Sequence, residues 1–379
     1  MARPDNLLAE WLAAQIREDG PMTVADFMSA ALTAPQGGYY MTGDPFGAAG
    51  DFITAPEISQ IFGELIGLWC AQCWQAMGSP KAINLVELGP GRGTLMSDAL
   101  RAAAVLPAFR GAIRVHLVEA SPSLKEKQRD VLHNVDVTWH QDLTSLPEEA
   151  MIVIANEFFD ALPVRQFERT LRAWHERLVT LSPLSTKNAP AFAFTTGAAS
   201  KEAVAMIPQT LRDTPVGTLV EISPAVTQVA GNLAHRLSRY GGAAVIIDYG
   251  RAQHQAGWSL QALRSHERHE PLIAPGEADL TAHVDFAAIS KASKEAGARV
   301  WGPVTQAAFL NAIGLRERAD SLCAQGTPAQ ARDIENGVQR LIESTQMGDL
   351  FKVLAIGHAD LPTPAGLPIS SADRGGRAS

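Results

Sequence analysis

The stretch that decides the fold is Ile83-Asn-Leu-Val-Glu-Leu-Gly-Pro-Gly-Arg-Gly-Thr94. A short apolar run leads to an acid, Glu87. Three glycines then fall at alternate positions, Gly89, Gly91 and Gly93. Residues 95–105 have the apolar spacing of a helix, so the segment predicts the strand, sharp turn and helix that open an α/β nucleotide-binding unit. Glycine permits a tight turn and the close approach of a ligand, and the helix N-terminus offers N–H groups.

The glycine spacing favours one class of ligand. A dinucleotide enzyme is expected to carry Gly-x-Gly-x-x-Gly, with its diphosphate resting on the helix N-terminus. Here the third glycine comes one position early, and Glu87 lies inside the turn. A carboxylate there would repel a diphosphate and would suit a ligand that carries an ammonium group. The simpler alternative is an ordinary strand-to-helix turn in some other α/β protein.

Composition limits the class of protein. The chain of 379 residues allows one large domain with additions, or two domains. With 46% hydrophobic and 19% charged residues, it has enough apolar side chains for the core of a soluble enzyme. The formal net charge of −8 argues against a broad surface for nucleic acid or for an anionic membrane.

Cysteine usage and the chain start predict the compartment. Three cysteines do not make a disulfide framework, which favours a reducing compartment. Cys70 and Cys73 form a C-x-x-C inside an apolar helical stretch, which favours buried thiols over redox or zinc chemistry. Residues 1–20 lack the pattern of a targeting peptide, and no stretch approaches the ~20 apolar residues of a membrane span. We therefore expect a cytoplasmic protein without a membrane span.

The segment before the glycine turn is predicted to be a helical cap with a loop. Residues 7–16 and 24–32 have helical spacing, and residues 35–54 are rich in glycine, proline and aromatics. That loop is interpreted either as a lid over a ligand or as a packed surface loop. It ends at Thr54-Ala-Pro-Glu57, which has the pattern of a capping box and predicts a single helix over residues 57–77.

The next strands bring acids to one edge of the predicted sheet. Residues 113–119 form a second strand that ends at Glu119, whose two oxygens suit the vicinal hydroxyls of a ribose. A third strand is followed by Asp142, which is either an acceptor for an adenine amino group or a turn residue. Residues 150–155 form an apolar fourth strand that is typical of the centre of a parallel sheet.

The end of that fourth strand is the second informative place, Asn156-Glu-Phe-Phe-Asp-Ala-Leu-Pro163. Ligands of open α/β sheets bind outside the carboxyl ends of the strands. Acceptors beside aromatic faces suit an amino or guanidinium group. The alternative is a helix cap at Asn156. A later strand over residues 242–250 brings Asp248 and Tyr249 to the same edge.

The rest of the chain is predicted to interrupt and then complete this pattern. Residues 164–215 form an insertion that begins with a hairpin, and a helical segment covers about 305–345. His266 and His269 fall in a polar stretch near Pro271, which favours a solvated loop over a metal site. Residues 359–379 are predicted to be a disordered tail.

Eight motifs together resemble one known family: Gly38-Tyr-Tyr-Met41, Asp44-Pro-Phe-Gly47, Gly50-Asp-Phe-Ile-Thr-Ala-Pro-Glu-Ile-Ser-Gln60, Glu87-Leu-Gly-Pro-Gly-Arg-Gly-Thr94, Asn156-Glu-Phe-Phe-Asp-Ala-Leu-Pro-Val164, Asp248-Tyr-Gly250, Gly276-Glu-Ala-Asp-Leu-Thr-Ala-His-Val-Asp-Phe286 and Gly348-Asp-Leu-Phe-Lys-Val-Leu354. They resemble the MidA family of class I S-adenosylmethionine-dependent methyltransferases, whose mitochondrial members are arginine methyltransferases that assist the assembly of respiratory complex I. The resemblance covers about residues 7–358.

The resemblance implies a fold and a cofactor. The expected fold is α/β, a seven-stranded Rossmann-like domain over residues 81–358 with an N-terminal helical cap over residues 1–80 and inserted α+β segments. The expected cofactor is S-adenosyl-L-methionine, with no metal. The residues expected to bind it are Gly50, Asp51, Thr54, Glu87, Gly89, Gly91, Gly93, Glu119, Ala120, Asp142, Leu143 and Asn156.

The resemblance also implies the reaction and the partner. An arginine nucleophile stays protonated in water, so carboxylates must orient it and stabilise its charge. We expect Asn156, Glu157 and Asp160 to be catalytic. Substrate contacts are expected from Phe158, Phe159, Asp248 and Tyr249. The expected partner is a protein substrate, with a complex I subunit as the first candidate and a homodimer as the expected assembly.

Three other function classes stay open. The glycine spacing and Glu87 disfavour an NAD-type dehydrogenase. A small-molecule methyltransferase would share the whole cofactor argument, and so would an assembly factor that binds the cofactor without turnover.

Overall fold

The computed structural model describes residues 6–42 and 54–368. It divides into two compact units. The small-sheet unit is drawn from Met1–Phe52, Asp160–Gln228 and Gln253–Ala287. The large-sheet unit is drawn from Ile53–Phe159, Val229–Ala252 and Ala288–Ser379.

The described helices are α1 (Leu7–Asp19), α2 (Val24–Thr33), α3 (Tyr39–Thr42), α4 (Ala55–Ile58), α5 (Gln60–Ala76), α6 (Thr94–Ala103), α7 (Pro107–Ala112), α8 (Pro122–Val131), α9 (Lys201–Ala205), α10 (Pro224–Tyr240), α11 (Phe286–Glu295), α12 (Gln306–Ala312), α13 (Leu315–Gln325), α14 (Pro328–Ile342) and α15 (Met347–Leu350). Short 3₁₀ helices lie at Leu143–Ser145 and Gln209–Leu211.

The described strands are β1 (Met22–Thr23), β2 (Ile83–Leu88), β3 (Ile113–Val118), β4 (Val137–His140), β5 (Met151–Asn156), β6 (Arg165–Arg169), β7 (Trp174–Leu181), β8 (Phe192–Ala198), β9 (Leu219–Ile222), β10 (Gly242–Arg251), β11 (Gln261–Arg264), β12 (Glu267–His269), β13 (Asp279–Thr281), β14 (Val284–Asp285), β15 (Arg299–Thr305) and β16 (Phe351–Gly357).

A long, mainly parallel sheet forms the centre of the large-sheet unit, in the order β15-β16-β10-β5-β2-β3-β4. Strands β4, β3, β2, β5 and β10 run parallel, and β16 is antiparallel to both of its neighbours. The central strands β2 and β5 are buried along their whole length, as their apolar sequences predict for a sheet covered on both faces. The predicted α/β class is confirmed.

The register of this sheet places the predicted acids at one edge. Leu88 pairs with Val118 and with Ala155, so the residues that follow β2, β3 and β5 leave the sheet side by side. Asn156 pairs with Ile247, which precedes Asp248. Because the five parallel strands share a direction, Glu87, Glu119 and Asn156 lie at their carboxyl ends, where open α/β sheets bind ligands.

Helix α5 packs closely on α6. A Cβ atom at Gly67 would lie 2.6 Å from the Cα atom of Ala99, so only glycine permits this approach of the two backbones. The thiols of Cys70 and Cys73 lie on α5, are buried in the same apolar cluster and have raised pKa values because burial disfavours the thiolate. Their interpretation as buried helix thiols agrees with this packing.

The predicted single helix over residues 57–77 is wrong. The chain forms α4, breaks at Ser59 and then forms α5, with the Ser59 hydroxyl accepting from the Ile61 N–H. The Thr54 side chain makes no capping bond. The predicted capping box fails because Glu57 accepts a 2.6 Å hydrogen bond from the Thr94 hydroxyl, at the start of α6, instead of turning back to Thr54.

The predicted disordered tail begins too early. Leu361 and Leu367 are buried in the core of the large-sheet unit. The Trp69 indole N–H donates to the Ala365 carbonyl at 3.3 Å, which fixes this segment against α5. Residues 359–368 therefore belong to the packed structure, and residues 369–379 lie outside the described part.

The small-sheet unit contains an antiparallel sheet in the order β1-β7-β6-β9, and β8 also pairs with β7. A second sheet has the order β12-β11-β13. The apolar faces of α1 and α2 are buried with both sheets, in a cluster that includes Leu8, Phe27, Val179 and Leu280. The N-terminal helices and the insertion thus share one core. The boundaries of the two compact units differ from those of the expected cap over residues 1–80 and the expected domain over residues 81–358.

The contact between α5 and α6 gives a test of the packing. We expect Gly67→Ala to lower the free energy of unfolding by about 2 kcal/mol or more, because the new methyl group meets the backbone of Ala99. The matched control is Gly231→Ala in α10, where a Cβ meets nothing within 4 Å. That change should leave stability equal or raise it by up to about 1 kcal/mol. Chemical denaturation measures both, and equal effects would contradict the close packing.

Candidate active site

The turn after β2 explains why glycines alternate there. Gly89, Gly91 and Gly93 have φ angles of 59°, 53° and 87°, all in the left-handed region that side chains disfavour. At Gly89 a Cβ would also lie 3.0 Å from the ring of Phe158. Helix α6 begins directly after Gly93. Residues with side chains would adopt this backbone conformation only under strain, which explains why glycine occupies the three positions.

Glu87 is a buried acid at the end of β2. Its residue is 3% exposed, and burial raises the pKa of its carboxyl to about 8, with the neighbouring Glu119 adding to the rise and a backbone hydrogen bond from Met96 opposing it. Within residues 6–42 and 54–368, its Oε2 atom has no hydrogen-bond partner. A buried acceptor without a donor is costly, so this position is suited to a ligand that brings a cation.

Glu119 follows β3 and accepts hydrogen bonds from the Gln128 side chain and from the backbone of Ala120 and Ser121. Its Oε1 atom accepts from the Ser121 N–H at 2.8 Å, and its Oε2 atom accepts from the Gln128 amide at 3.1 Å. Burial raises the pKa of this carboxyl, although those hydrogen bonds and Lys125 act in the opposite direction. The neighbouring Ala120 is exposed.

Asp142 is a turn residue in the structure, which is one of the two interpretations that its sequence allowed. It is exposed and caps the 3₁₀ helix that begins at Leu143, accepting from the Thr144 N–H at 2.8 Å and from the Thr144 hydroxyl at 2.5 Å. These hydrogen bonds lower the pKa of its carboxyl. Arg236 holds the same turn by donating to the carbonyls of Thr144, Leu146 and Pro147. Contact of Asp142 and Leu143 with adenine stays a prediction.

Asn156 and Glu157 form a linked pair at the end of β5. The Asn156 amide donates to Glu157 Oε1 at 3.0 Å, and the same oxygen accepts from the Ala55 N–H at 3.0 Å. The Oδ1 atom of Asn156, a residue 8% exposed, has no partner in the described part of the chain. No helix begins at Asn156, so the alternative of a helix cap is wrong.

Glu157 has a strained backbone. Its φ angle is +50°, a left-handed conformation that costs a non-glycine residue on the order of 1–3 kcal/mol. The Glu157 N–H donates to the Ile247 carbonyl at 2.9 Å, which helps to hold this conformation. Such strain is common at functional sites, where the surrounding structure maintains it.

Asp248 holds the loop that carries these residues. It is fully buried, with Oδ2 accepting from the N–H groups of Phe158 at 3.2 Å and Phe159 at 2.9 Å. Its Oδ1 atom accepts from the Tyr249 N–H at 2.9 Å. Phe159 and Tyr249 are buried, whereas Phe158 is partly exposed. The predicted contacts of these four residues with a substrate stay predictions.

Asp160 belongs to the small-sheet unit. It is buried there and its carbonyl accepts from the Ala282 N–H at 3.0 Å. In the same unit the Tyr40 hydroxyl donates to Asp279 at 2.9 Å. The pKa of Tyr40 is raised well above its usual value, first by burial and then by the charges of Asp279 and Asp160. The catalytic role of Asp160 stays a prediction.

Three predicted cofactor contacts, Gly50, Asp51 and Thr54, lie within or directly after residues 43–53, which the structure does not describe. Gly50 and Asp51 fall outside the described residues, as does most of the loop over residues 35–54, for which a lid and a packed surface loop are the two interpretations. Thr54 is partly buried directly before α4.

Sequence reasoning missed two residues of the site. Gln128 is fully buried on α8 and joins Gly91 to Glu119, and Glu57 binds Thr94. A signal existed for Gln128, because it follows the apolar Leu124 by four residues and so occupies the core-facing side of an otherwise polar helix. No local signal existed for Glu57, because its partner lies 37 positions away.

The residues present fit S-adenosylmethionine. Glu87 Oε2 and Asn156 Oδ1 are buried acceptors without partners in the described chain, on adjacent strands and beside a turn that lacks side chains. An ammonium group can donate to such acceptors and favours the ionised form of Glu87, whereas a diphosphate has no donor for them. Elsewhere in the described ranges, no cluster of three or more His, Cys, Asp or Glu side chains is placed to hold a metal ion.

Comparison with known protein sequences identifies relatives of this chain. Residues 65–304 match the sequence model of a family described as S-adenosyl-L-methionine-dependent methyltransferase. The mitochondrial protein arginine methyltransferase NDUFAF7 homolog of Drosophila melanogaster is 37% identical over 92% of this chain and 84% of its own length. The mitochondrial protein arginine methyltransferase NDUFAF7 of Homo sapiens is 35% identical over 90% of this chain and 81% of its own length.

Solved structures agree with the family. A crystal structure from Burkholderia thailandensis with S-adenosyl-homocysteine bound is 31% identical, with a TM-score of 0.81 over 97% of this chain and 96% of that chain. A native structure from the same organism gives a TM-score of 0.79 at 31% identity, with the same coverage.

One expectation from the sequence is corrected by these relatives. The predicted cytoplasmic location is wrong, because it conflicts with the curated relatives, which are named as mitochondrial proteins. Across the described residues, helices with the length and apolar character needed to cross a membrane are lacking.

The buried Glu87 gives a test that needs no ligand. Its pKa is raised from 4.5 to about 8, so between these values the folded chain keeps a proton that the unfolded chain has released, and stability falls as pH rises. Glu87→Gln stays neutral and removes this fall. We expect the variant to exceed the wild type in unfolding free energy by on the order of 3 kcal/mol at pH 8, and by much less at pH 5.

The control for this test is Glu126→Gln, at an exposed position on α8. Denaturation curves at both pH values should show no pH-dependent difference for it. A constant difference between Glu87→Gln and the wild type at both pH values would mean that Glu87 is ionised in the folded protein.

Proposed function

The chain belongs to the family of S-adenosyl-L-methionine-dependent methyltransferases, and we propose that it methylates arginine side chains of a protein substrate. The observation that carries the cofactor site is the buried Glu87 Oε2 atom, without a partner among the described residues, beside the left-handed glycines of the turn. The relatives named protein arginine methyltransferases, which align with about nine-tenths of the chain, support the choice of acceptor.

Several residues would hold the cofactor. Glu87 would accept from its ammonium group, and the glycine turn would let the backbone approach its methionine end. Glu119 would accept from the ribose hydroxyls. When bound, S-adenosylmethionine supplies an electrophilic methyl group on a positively charged sulfur. The remaining proposed contacts are Gly50, Asp51, Thr54, Ala120, Asp142, Leu143 and Asn156.

Asn156 and Glu157 are the residues that we propose to act on the acceptor. A guanidinium group keeps its charge in water, so it needs acceptors that orient it and a carboxylate that compensates its charge. The Asn156 Oδ1 atom, unpaired within the described chain, supplies the first, and the Glu157 carboxylate supplies the second. The Glu157 carboxylate would also receive the proton that the nitrogen loses as it gains a methyl group. Its fixed, strained backbone favours such positioning.

The finer features of the fold and partner are part of the same proposal. We take the seven strands in the order β15-β16-β10-β5-β2-β3-β4 as a Rossmann-like methyltransferase core, with the N-terminal helices as a cap. We propose a subunit of respiratory complex I as the first protein substrate to test, because the family resemblance points there, and a homodimer as the assembly.

A labelling experiment tests the acceptor and the role of Glu157. With labelled S-adenosylmethionine, we expect the purified protein to label protein arginine in an extract of cells that lack it, with methylarginine identified after hydrolysis. Glu157→Gln should lower the labelling rate by about 100-fold. Its affinity for the cofactor, measured by calorimetry, should change by less than about threefold, because the proposed contact is to the acceptor.

The control is Glu149→Gln, at a side chain 59% exposed that pairs with Arg114. It should keep both rate and affinity. Arginine methylation is excluded if every arginine-bearing protein stays unlabelled, whereas transfer by Glu157→Gln at the wild-type rate would exclude the proposed role of Glu157. Label found only in small molecules would assign a small-molecule acceptor, and binding without any transfer would assign a non-catalytic role.

A further inference from the structure

Gln128 lies at the centre of the site, between the glycine turn and the acid after β3. Its side chain is fully buried on α8. Its Nε2 atom donates to the Gly91 carbonyl at 2.8 Å and to Glu119 Oε2 at 3.1 Å. Both donor positions of the amide are therefore used, one on the turn and one on the carboxylate.

The orientation of this amide follows from its third contact. The Trp139 indole N–H donates to Gln128 Oε1 at 2.9 Å. An indole nitrogen is a donor only, so the amide must turn its oxygen towards Trp139. Its two N–H groups then have to face Gly91 and Glu119. The guanidinium of Arg129 lies 4.9 Å from the centre of the Trp139 ring, which helps to hold the indole in place.

These contacts fix the plane of the Glu119 carboxylate. Ser121 donates to one oxygen and Gln128 to the other. The backbone of Ala120 adds a further hydrogen bond to this carboxylate. A carboxylate has about four acceptor positions, so acceptor capacity remains for a ligand. Two oxygens held in one plane match two vicinal hydroxyl groups. Without Gln128, the Oε2 atom loses its donor on α8. The carboxylate then keeps only its hydrogen bonds with backbone N–H groups, so its plane is less firmly fixed.

We propose that Gln128 is a positioning residue that orients Glu119 for a ligand with an intact ribose, and so sets the preference for ribonucleosides over deoxyribonucleosides. This inference rests on the proposed function, because it takes Glu119 as the ribose-binding acid. Gln128 does not touch the ligand in this proposal; it acts through Glu119 and through the carbonyl of Gly91.

The test compares two ligands by calorimetry: S-adenosylhomocysteine and its 2′-deoxy analogue. The wild type should prefer the ribose form by about tenfold or more, as expected for a hydrogen bond to a charged group. Gln128→Met removes both donors at similar volume, and its preference should fall to about threefold or less. Gln128→Glu keeps the acceptor for Trp139 but loses the donors, and it should lose the preference as well.

The matched control is Gln306→Met. Gln306 is also fully buried in the large-sheet unit and donates to the Leu341 carbonyl at 2.8 Å. Thermal melting without ligand measures the loss of stability that each variant suffers, and only Gln128→Met should change the ribose preference. A purely structural role for Gln128 would lower the affinities for both ligands equally.

The outcomes separate this inference from the function on which it rests. If the wild type prefers the ribose form and both Gln128 variants keep that preference, the positioning role is overturned and the proposed cofactor site stands. If the wild type binds neither ligand, the proposed cofactor site itself fails, and the positioning role fails with it.

Discussion

A buried carboxylate is the constraint on which the site depends. Glu87 lies near the end of a strand that is buried along its whole length, and the neighbouring acid Glu119 further disfavours its ionisation. Burying an acid without a countercharge raises its pKa and leaves an acceptor unsatisfied. The turn that follows is built from glycines in left-handed conformations, so a ligand can reach this carboxylate past bare backbone. A ligand with an ammonium group resolves both the charge and the missing hydrogen bond.

Much of the site was predictable because its signals are local. Alternating glycines indicate a path that only glycine adopts easily, and apolar strands that end in polar residues indicate the carboxyl edge of a parallel sheet. Glu87, Glu119 and Asn156 were found in this way. What local patterns could not reveal is which distant group each side chain binds. Glu57 had the right spacing for a capping box, yet its partner is Thr94, and the helix breaks at Ser59.

The same limit applies to the roles of acids. Asp248 stands at the carboxyl edge, as predicted, but both of its oxygens accept from backbone N–H groups, so its described contacts hold the loop after β5 in place. Gln128 shows the reverse case, since a neutral residue without a motif joins the turn to Glu119. Acidic and amide residues in the sequence thus indicate the region of a site. Their hydrogen-bond partners decide which of them contact a ligand and which support the residues that do.

The most direct test of the pairing between Glu87 and the cofactor is to measure how many protons are released when S-adenosylmethionine binds. Calorimetry of S-adenosylmethionine at pH 7, repeated in buffers of different ionisation enthalpy, gives the number of protons released. With its pKa at about 8, Glu87 is mostly protonated before binding and must ionise to pair with an ammonium group. We expect the release of close to one proton by the wild type and much less by Glu87→Gln. Binding without proton release, or with the same release in both proteins, would contradict the pairing of Glu87 with the cofactor.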